Sequence, residues 1–262
     1  MSTHVFKRLS AAAFQTPKRR STVTLAWQGH FPFAFWSIER WCPRVFVELG
    51  THLGDSYFAF CQSVQEYKTG TECFAVDTWQ GDTQAGAYGD EIYAEVAAHN
   101  QENYAAFSHL LRMTFDQALG QFADGCVDLL HIDGFHTYEA VRHDFETWLP
   151  KMSKHGVMLF HDSNVDANDF GVWRLVSELD SRFPHFHFLH SYGLSMFTMT
   201  EDAPEEARWM TELSPSEIED WRLVFSRLGA SAVHQTAPSQ NSGLLSRTAN
   251  TLRKKLGRTA TH

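Results

Sequence analysis

Two glycines, separated by three residues, follow a short apolar segment in the first fifth of the sequence. The segment Val45–Leu49 leads into Gly50, and Gly54 stands just before a stretch with helical spacing. Glycine tolerates positive φ and lets a ligand approach the backbone, and open α/β sheets bind ligands at the carboxyl ends of their strands. The spacing Gly-x-x-x-Gly is not the Gly-x-Gly-x-x-Gly fingerprint of dinucleotide sites. Glu48 would repel a pyrophosphate, but it can accept hydrogen bonds from a cationic α-amino group.

A second acidic residue, Asp77, closes the next apolar segment, Cys73–Asp77. An acid roughly 20 residues beyond a glycine turn can bind the hydroxyls of a ribose. A ligand with an amino-acid end and a ribose, but no phosphate, suits both carboxylates, and S-adenosylmethionine is such a ligand. The competing interpretation is a plain strand, turn and helix with no ligand.

Three polar residues close two later apolar segments. Asp133 ends the segment 127–133, and His161 and Asp162 end the segment 156–162. Neighbouring parallel strands would bring these side chains together, which predicts a site for Mg²⁺ or another divalent cation. A histidine in place of an oxygen ligand favours a softer ion. Alternatively, Asp162 caps the following loop and Asp133 makes packing hydrogen bonds.

His136 is the candidate general base, because an imidazole titrates near neutral pH and can take a proton from a hydroxyl. We group it with Asp133 as the candidate catalytic pair. The alternative is a loop histidine that caps the helix beginning at Tyr138. Three other histidines, His185, His187 and His190, alternate along a predicted edge strand, and we expect a structural role for them.

The spacing of apolar residues predicts the elements that would position these groups. Short apolar strands alternate with helices, which indicates parallel pairing through right-handed crossovers. The segments 185–190 and 194–199 are close together, with Tyr192 and Gly193 between them, and predict an antiparallel hairpin. We therefore predict an α/β fold: a Rossmann-like, mostly parallel sheet with helices on both faces and a terminal antiparallel hairpin.

Charge is distributed unevenly along the 262 residues. The formal net charge is −9, yet the segments before Glu39 and after Gly229 carry only basic charged residues. An acidic body argues against nucleic-acid binding. We expect a weakly structured lead over residues 1–40 that packs on the domain, a catalytic domain over 41–229, and a basic, disordered tail over 230–262.

The basic tail has leucines at helical spacing near residues 244–256. Such a segment can contact a membrane surface or a partner only weakly, and a solvated tail is the simpler interpretation. The four cysteines are scattered without metal-ligand spacing, and no apolar run reaches the roughly 20 residues that span a bilayer. We expect a cytoplasmic protein with a small-molecule acceptor as its partner; a homo-oligomer is compatible with the sequence.

Four motifs together resemble the class I methyltransferases that use S-adenosylmethionine. They are Glu48-Leu-Gly-Thr-His-Leu-Gly54, Asp77-Thr-Trp79, His131-Ile-Asp-Gly-Phe-His-Thr-Tyr-Glu139 and Leu159-Phe-His-Asp162. More narrowly, the sequence is similar to the branch that contains macrolide-sugar and related saccharide O-methyltransferases. The resemblance covers residues 44 to 200 and implies a seven-stranded sheet.

The resemblance also implies roles for individual residues. Glu48, Gly50 and Gly54 would line the methionine end of the cofactor, and Asp77 would hold the ribose. Trp79 either borders the adenine or is a core aromatic. The full candidate cofactor set is Glu48, Gly50, Thr51, Gly54, Asp77, Thr78, Trp79 and Thr114, and the candidate metal set is Asp133, His161 and Asp162.

Phe135 occupies the position where macrolide-sugar relatives often carry an acid, which adds weight to His136 as the base. The predicted function is methyl transfer from S-adenosylmethionine to a hydroxyl of a small saccharide or glycosylated metabolite. The alternatives are a non-catalytic scaffold with a methyltransferase-like fold, and an enzyme of the NAD-dependent or nucleotide-sugar class. The acid at position 48 and the missing dinucleotide fingerprint disfavour the last of these.

Overall fold

A computed structural model describes residues 7–18, 26–82, 86–167 and 169–236 of the chain. Its main feature is a mixed seven-stranded sheet with the order β3-β2-β1-β4-β5-β7-β6. The strands are β1 (Val45–Leu49), β2 (Glu72–Asp77), β3 (Ser108–Arg112), β4 (Val127–Ile132), β5 (Met152–His161), β6 (His185–Phe188) and β7 (Leu194–Thr198). Strands β1 to β5 pair in parallel, and β7 runs antiparallel to both β5 and β6. The predicted fold class is confirmed, including the terminal hairpin.

Helices connect the strands and cover the sheet. They are α1 (Phe31–Trp41), α2 (Asp55–Tyr67), α3 (Asp90–Asn103), α4 (Phe115–Ala118), α5 (Tyr138–Trp148), α6 (Val172–Leu179), α7 (Glu205–Thr211) and α8 (Pro215–Thr236). Two of them, α7 and α8, follow the terminal hairpin, and a small antiparallel pair, Gly81–Asp82 with Gly86–Ala87, lies between β2 and α3.

Both faces of the sheet are buried, because successive side chains of each strand point to opposite sides. In β4, Leu129 belongs to one apolar cluster and Leu130 to the other. The first cluster lies under α1, α2 and α8 and is rich in aromatic rings. The change in strand order between β1 and β4 opens the crevice at the carboxyl ends of the strands, where ligands bind in such sheets.

Residues 26–41 are part of the core and differ from the weakly structured lead expected from the sequence. A 3₁₀ turn, Gln28–His30, precedes α1, and nine of the eleven residues of α1 are buried. The ring of Trp36 packs 5.3 Å from that of Trp221 in α8. Within α1, Glu39 and Arg40 are partly exposed and the other nine residues are buried, so α1 is an interior element of the domain.

Helix α8 continues to Thr236, beyond the boundary expected at Gly229. Gly229 itself faces the turn before α1, and Ala232 is buried. The basic segment near residues 244–256 lies outside the described residues. In the described part of the chain, no helix combines the length and apolar character needed to cross a bilayer.

We predict that Gly229→Ala destabilises the fold, although Gly→Ala in a helix normally stabilises it. A Cβ at position 229 would lie 2.1 Å from the carbonyl oxygen of Gly29, so α8 and the turn must separate. Overpacking of this kind costs about 1–3 kcal/mol of unfolding free energy, which denaturant unfolding would measure. The matched control is Gly120→Ala, where a Cβ meets nothing within 4 Å; equal stability of the two variants would contradict the contact.

Candidate active site

The glycine turn lies between the ends of β2 and β4. Gly50 has φ of 89°, and its N–H donates to Val76 O at 3.0 Å. A Cβ at this position would lie 2.2 Å from the carbonyl oxygen of Asp133. Gly54, with φ of 78°, precedes α2 directly. Both glycines are therefore required by backbone geometry, and Gly50 brings the turn next to the predicted polar cluster.

Asp77 holds this turn in place through its carboxylate. Oδ2 accepts hydrogen bonds from the backbone N–H groups of Thr51 and His52, at 2.9 and 2.8 Å, and Oδ1 accepts one from Trp79 at 2.7 Å. A carboxylate has about four acceptor positions, so one remains for a ligand hydroxyl. The residue assigned to ribose binding thus also sets the conformation of the turn.

Two further residues of the candidate cofactor set, Trp79 and Thr114, are engaged in contacts within the protein. Trp79 is fully buried, and its indole N–H donates to His52 O at 2.9 Å, so its ring offers no open face in this arrangement. Thr114 caps α4, where its hydroxyl accepts from the backbone of Gln117 at 3.2 Å. Thr78 is partly exposed at the end of β2 and is the one of these three residues best placed to meet a ligand.

Glu48 is the last member of a buried hydrogen-bond chain that begins at Trp27 and passes through His131. The sequence did not reveal this chain. The indole N–H of Trp27 donates to His131 Nε2 at 3.2 Å, so His131 carries its proton on Nδ1 and donates it to Glu48 Oε2 at 2.9 Å. Burial raises the pKa of Glu48, and the hydrogen bond from His131 opposes that rise. The period-two spacing of β4 places His131 on the same sheet face as Glu48, but nothing in the sequence indicated Trp27.

Two buried oxygens next to the glycine turn have no hydrogen-bond partner among the described residues. They are Oε1 of Glu48 and Oγ1 of Thr51. Buried polar groups are nearly always satisfied in folded proteins. One acceptor-only oxygen and one hydroxyl at the mouth of this turn suit a ligand that brings both an ammonium and a carboxylate.

The predicted polar cluster forms at the ends of β4 and β5, with His136 added. His136 Nε2 lies 2.9 Å from Asp162 Oδ2 and 3.5 Å from Asp133 Oδ1. His161 Nδ1 lies 3.2 Å from Asp133 Oδ1, and its Nε2 lies 3.1 Å from the carbonyl oxygen of Ser191. The ring of His136 also stacks on Phe170 at 4.6 Å. Two imidazoles and two carboxylates therefore share one small, mostly buried volume.

The charges of this cluster depend on one another. Burial alone would lower the pKa of His136, but Asp133 and Asp162 raise it to about 9. Burial would likewise lower the pKa of His161, and the same two carboxylates hold it well above its usual value. Burial opposes ionisation of Asp133, yet the imidazoles keep its pKa well below the usual range. At neutral pH the cluster is thus two imidazolium–carboxylate pairs, and His136 carries a proton.

Ligand atoms of Asp133, His136 and Asp162 all lie within 4.8 Å of one another. This grouping differs from the predicted metal set in having His136 where His161 was expected. His161 nevertheless also contacts Asp133, through Nδ1 at 3.2 Å from Oδ1. A carbonyl oxygen can only accept, so Nε2 of His161 carries a proton toward Ser191, and Nδ1 faces the cluster.

A buried polar layer from the N-terminal segment covers this cluster. His30 Nε2 lies 3.2 Å from Ser191 O, the same carbonyl that His161 contacts, and burial lowers the pKa of His30 well below its usual value. The rings of His30 and His190 are 4.6 Å apart. His190 thus belongs to this layer, whereas a structural place on the edge strand was expected. Sequence reasoning missed His30 because residues 1–40 were expected to be a weakly structured lead.

The strand order, together with the glycine turn and acids after β1 and β2, defines the class I methyltransferase fold. Residues 47–163 match a family model described as a methyltransferase domain. The match spans both the turn and the polar cluster.

The chain is similar to the uncharacterized protein y4gI of Sinorhizobium fredii, with 48% identity over 204 residues. The similarity covers 78% of this chain but 22% of that protein, so the chain spans about a fifth of its relative. A solved structure of a putative caffeoyl-CoA O-methyltransferase from Staphylococcus aureus has a TM-score of 0.52 at 12% identity, covering 76% of this chain and 92% of that one. Cofactor-bound Rv0187 from MTB has a TM-score of 0.51 at 16% identity, covering 77% and 91%. At such low identity, the two structures support the fold alone.

We predict that Asp77→Ala lowers both cofactor affinity and stability. The variant would leave three backbone N–H groups, those of Thr51, His52 and Trp79, without their acceptor. Each buried unsatisfied donor costs about 1–3 kcal/mol, and the distorted turn should weaken S-adenosylhomocysteine binding at least about tenfold. Thermal unfolding and calorimetry would measure the two effects. An unchanged unfolding midpoint would contradict the role in the turn, and unchanged affinity would contradict the role in binding.

Proposed function

We propose that this protein transfers a methyl group from S-adenosylmethionine to a hydroxyl of a small saccharide or glycosylated metabolite. The observation that carries the proposal is the pair of unpartnered buried oxygens, Glu48 Oε1 and Thr51 Oγ1, at the glycine turn. The methyltransferase family match over residues 47–163 supports the reaction class. The hydroxyl acceptor and the saccharide both draw support from the sequence resemblance.

The cofactor fits the turn through charge and hydrogen-bond complementarity. Glu48 Oε1 accepts from the α-amino group, Thr51 Oγ1 donates to the carboxylate, and Asp77 uses its remaining acceptor position for a ribose hydroxyl. When bound, S-adenosylmethionine supplies a methyl group on a positively charged sulfur. Most of the rate gain then comes from holding the acceptor hydroxyl in line with that methyl group.

His136 is proposed as the base that accepts the hydroxyl proton. It must first lose the proton that Asp133 and Asp162 stabilise, because its pKa is raised to about 9. Stacking on Phe170 fixes the plane of the ring, and the two carboxylates fix its direction. The protonated imidazole that forms after proton transfer is then the state that the cluster already favours.

We also propose that a divalent cation binds the same cluster and displaces the Nδ1 proton of His161 as it does so. With His136 as the base, its ligands would be Asp133, Asp162 and Nδ1 of His161, whose Nε2–H is held by the Ser191 carbonyl. A hydrogen bond from the second ring nitrogen to a carbonyl is the usual arrangement for a metal-bound histidine. The ion would supply positive charge that lowers the pKa of His136 and orients the acceptor oxygen.

The non-catalytic scaffold is less favoured, because a binding module has no need of a buried acid–imidazole cluster beside its ligand turn. A cytoplasmic location, self-association and a weak contact of the basic tail with a membrane or partner stay predictions.

The proposal predicts a simple ligand profile. In calorimetric titrations of the full chain, S-adenosylmethionine and S-adenosylhomocysteine should bind and NAD should not, because Glu48 repels a pyrophosphate. Thr51→Val, which removes the unpartnered hydroxyl at nearly constant volume, should weaken binding of both cofactor forms. Thr147→Val is the control, because the Thr147 hydroxyl bonds within its own helix, α5, to His143 O. Tight NAD binding, or no binding of either cofactor form, would refute the proposed function.

The cluster predicts a pH profile that depends on divalent ions. After chelation, methyl transfer should fall, and the residual rate should rise with pH toward about 9, since His136 acts only when deprotonated. Restoring Mg²⁺ or Mn²⁺ should move that rise to lower pH, because a nearby cation disfavours the imidazolium. Steady-state rates from pH 6 to 10 would measure this. Full activity after exhaustive chelation would exclude the ion, and a profile unchanged in His136→Gln would exclude the base.

A further inference from the structure

A second cluster of metal-ligating side chains lies at the opposite edge of the sheet from β3. Asp180 follows the last residue of α6, and His185 and His187 are alternate residues of the edge strand β6. Alternate residues of a strand point to the same face, and the two imidazole rings lie 4.8 Å apart at an angle of 21°. The sequence suggested only structural roles for these histidines; the fold adds a carboxylate to them.

The distances within this cluster suit a small cation. Asp180 Oδ1 lies 3.1 Å from His187 Nε2 and 3.7 Å from His185 Nδ1, and the three residues offer ligand atoms within 4.8 Å of one another. Ligand atoms about 2.0–2.1 Å from a tetrahedral zinc ion stand roughly 3.3 Å apart. His185 Nδ1 also lies 3.1 Å from the carbonyl oxygen of Phe183, so the ring of His185 must first leave that hydrogen bond. Small movements of the other two side chains would then bring all three groups to bonding distance of one ion.

Two buried atoms of the cluster face each other at 3.1 Å and have no other hydrogen-bond partner in the described part of the chain. They are Asp180 Oδ1 and His187 Nε2. The other nitrogen of His187 is already held, since Nδ1 lies 2.8 Å from the hydroxyl of Ser195. A ligating histidine is oriented in this way by a partner on its second nitrogen.

The carboxylate of Asp180 lies at a place where a nearby positive charge would stabilise it. The residue caps the carboxyl end of α6, where its N–H donates to Val176 O. Helix carbonyls make this end partly negative, so a carboxylate there is unfavourable unless a cation stands nearby. Arg222 borders the same region, but its guanidinium already donates to His187 O and to Glu219. The cluster opens on a cavity of about 470 Å³, lined also by Arg182 and Thr211, which leaves room for water on an ion.

We propose that Asp180, His185 and His187 bind a divalent cation of the zinc class, separate from the candidate active site. Two imidazoles and one carboxylate are ligands typical of Zn²⁺, and water from the cavity would complete a tetrahedral set. The ion would link the end of α6 to the edge strand and so hold the terminal hairpin against the rest of the sheet. The site is independent of the proposed methyl transfer.

The test is a Zn²⁺ titration of the full chain after chelation, with stoichiometry and affinity read by competition with a chelating indicator. Removing both imidazoles in His185→Gln/His187→Gln should abolish one equivalent of bound Zn²⁺, or weaken it at least tenfold. His143→Gln is the matched control, because His143 pairs with Asp116 at 2.8 Å but has no second imidazole beside it. The control should bind as the unaltered chain does.

A second pair of variants separates this site from the active-site cluster. Asp133→Asn/Asp162→Asn removes the active-site carboxylates and should keep the equivalent that the histidine variant loses. Asp180→Asn is a milder change at a partly exposed residue, and it tests the site even if the His185→Gln/His187→Gln variant folds poorly. It should weaken binding of the same Zn²⁺ equivalent. Zn²⁺ should also raise the thermal midpoint of the Asp133→Asn/Asp162→Asn chain by mass action. Unchanged Zn²⁺ binding in both the Asp180 and histidine variants would overturn the proposal, whatever the result for methyl transfer.

Discussion

The bonds between one carboxylate and three backbone N–H groups hold the ligand side of this molecule together. Asp77 belongs to β2, yet the groups it accepts from belong to the turn after β1 and to its own following turn. A backbone with positive φ at Gly50 does not hold its shape by local preference, so an external acceptor must fix it. With the turn fixed, Gly50 lies against the carbonyl of Asp133. The glycine turn and the polar cluster are thereby held next to each other.

The polar cluster has a different physical basis, because its groups stabilise one another's charges. No single member would ionise at this depth alone, since burial opposes the charged form of every one. The covering layer completes this environment: the segment containing Trp27 and His30 excludes water and sets the proton positions of His131. Residues that are far apart in the sequence, from Trp27 to Ser191, thus share one small buried volume.

The sequence was informative where a residue's role follows from its place at the end of a strand. Glu48, Asp77, Asp133 and Asp162 stand where the carboxyl ends of parallel strands meet, so their proximity follows from topology. The hairpin was visible from two short apolar segments around Tyr192 and Gly193. The sequence could not show specific hydrogen bonds that side chains make in the folded chain. Examples are the bond between Trp27 and His131, and the three bonds by which Asp77 fixes the glycine turn. Helix α1 was not predicted because its segment was assigned to the weakly structured lead, and its partners in α8 lie about 190 residues further along the chain.

The same helix has a consequence for how the chain is made. Trp36 is synthesised well before Trp221 and Phe225, the residues of α8 against which it packs. At about 5–20 residues per second, the apolar surface of α1 waits on the order of ten seconds or longer for these partners. During that interval it is open to chaperones and to neighbouring nascent chains. The core of this domain therefore closes around a segment that was made long before its partners.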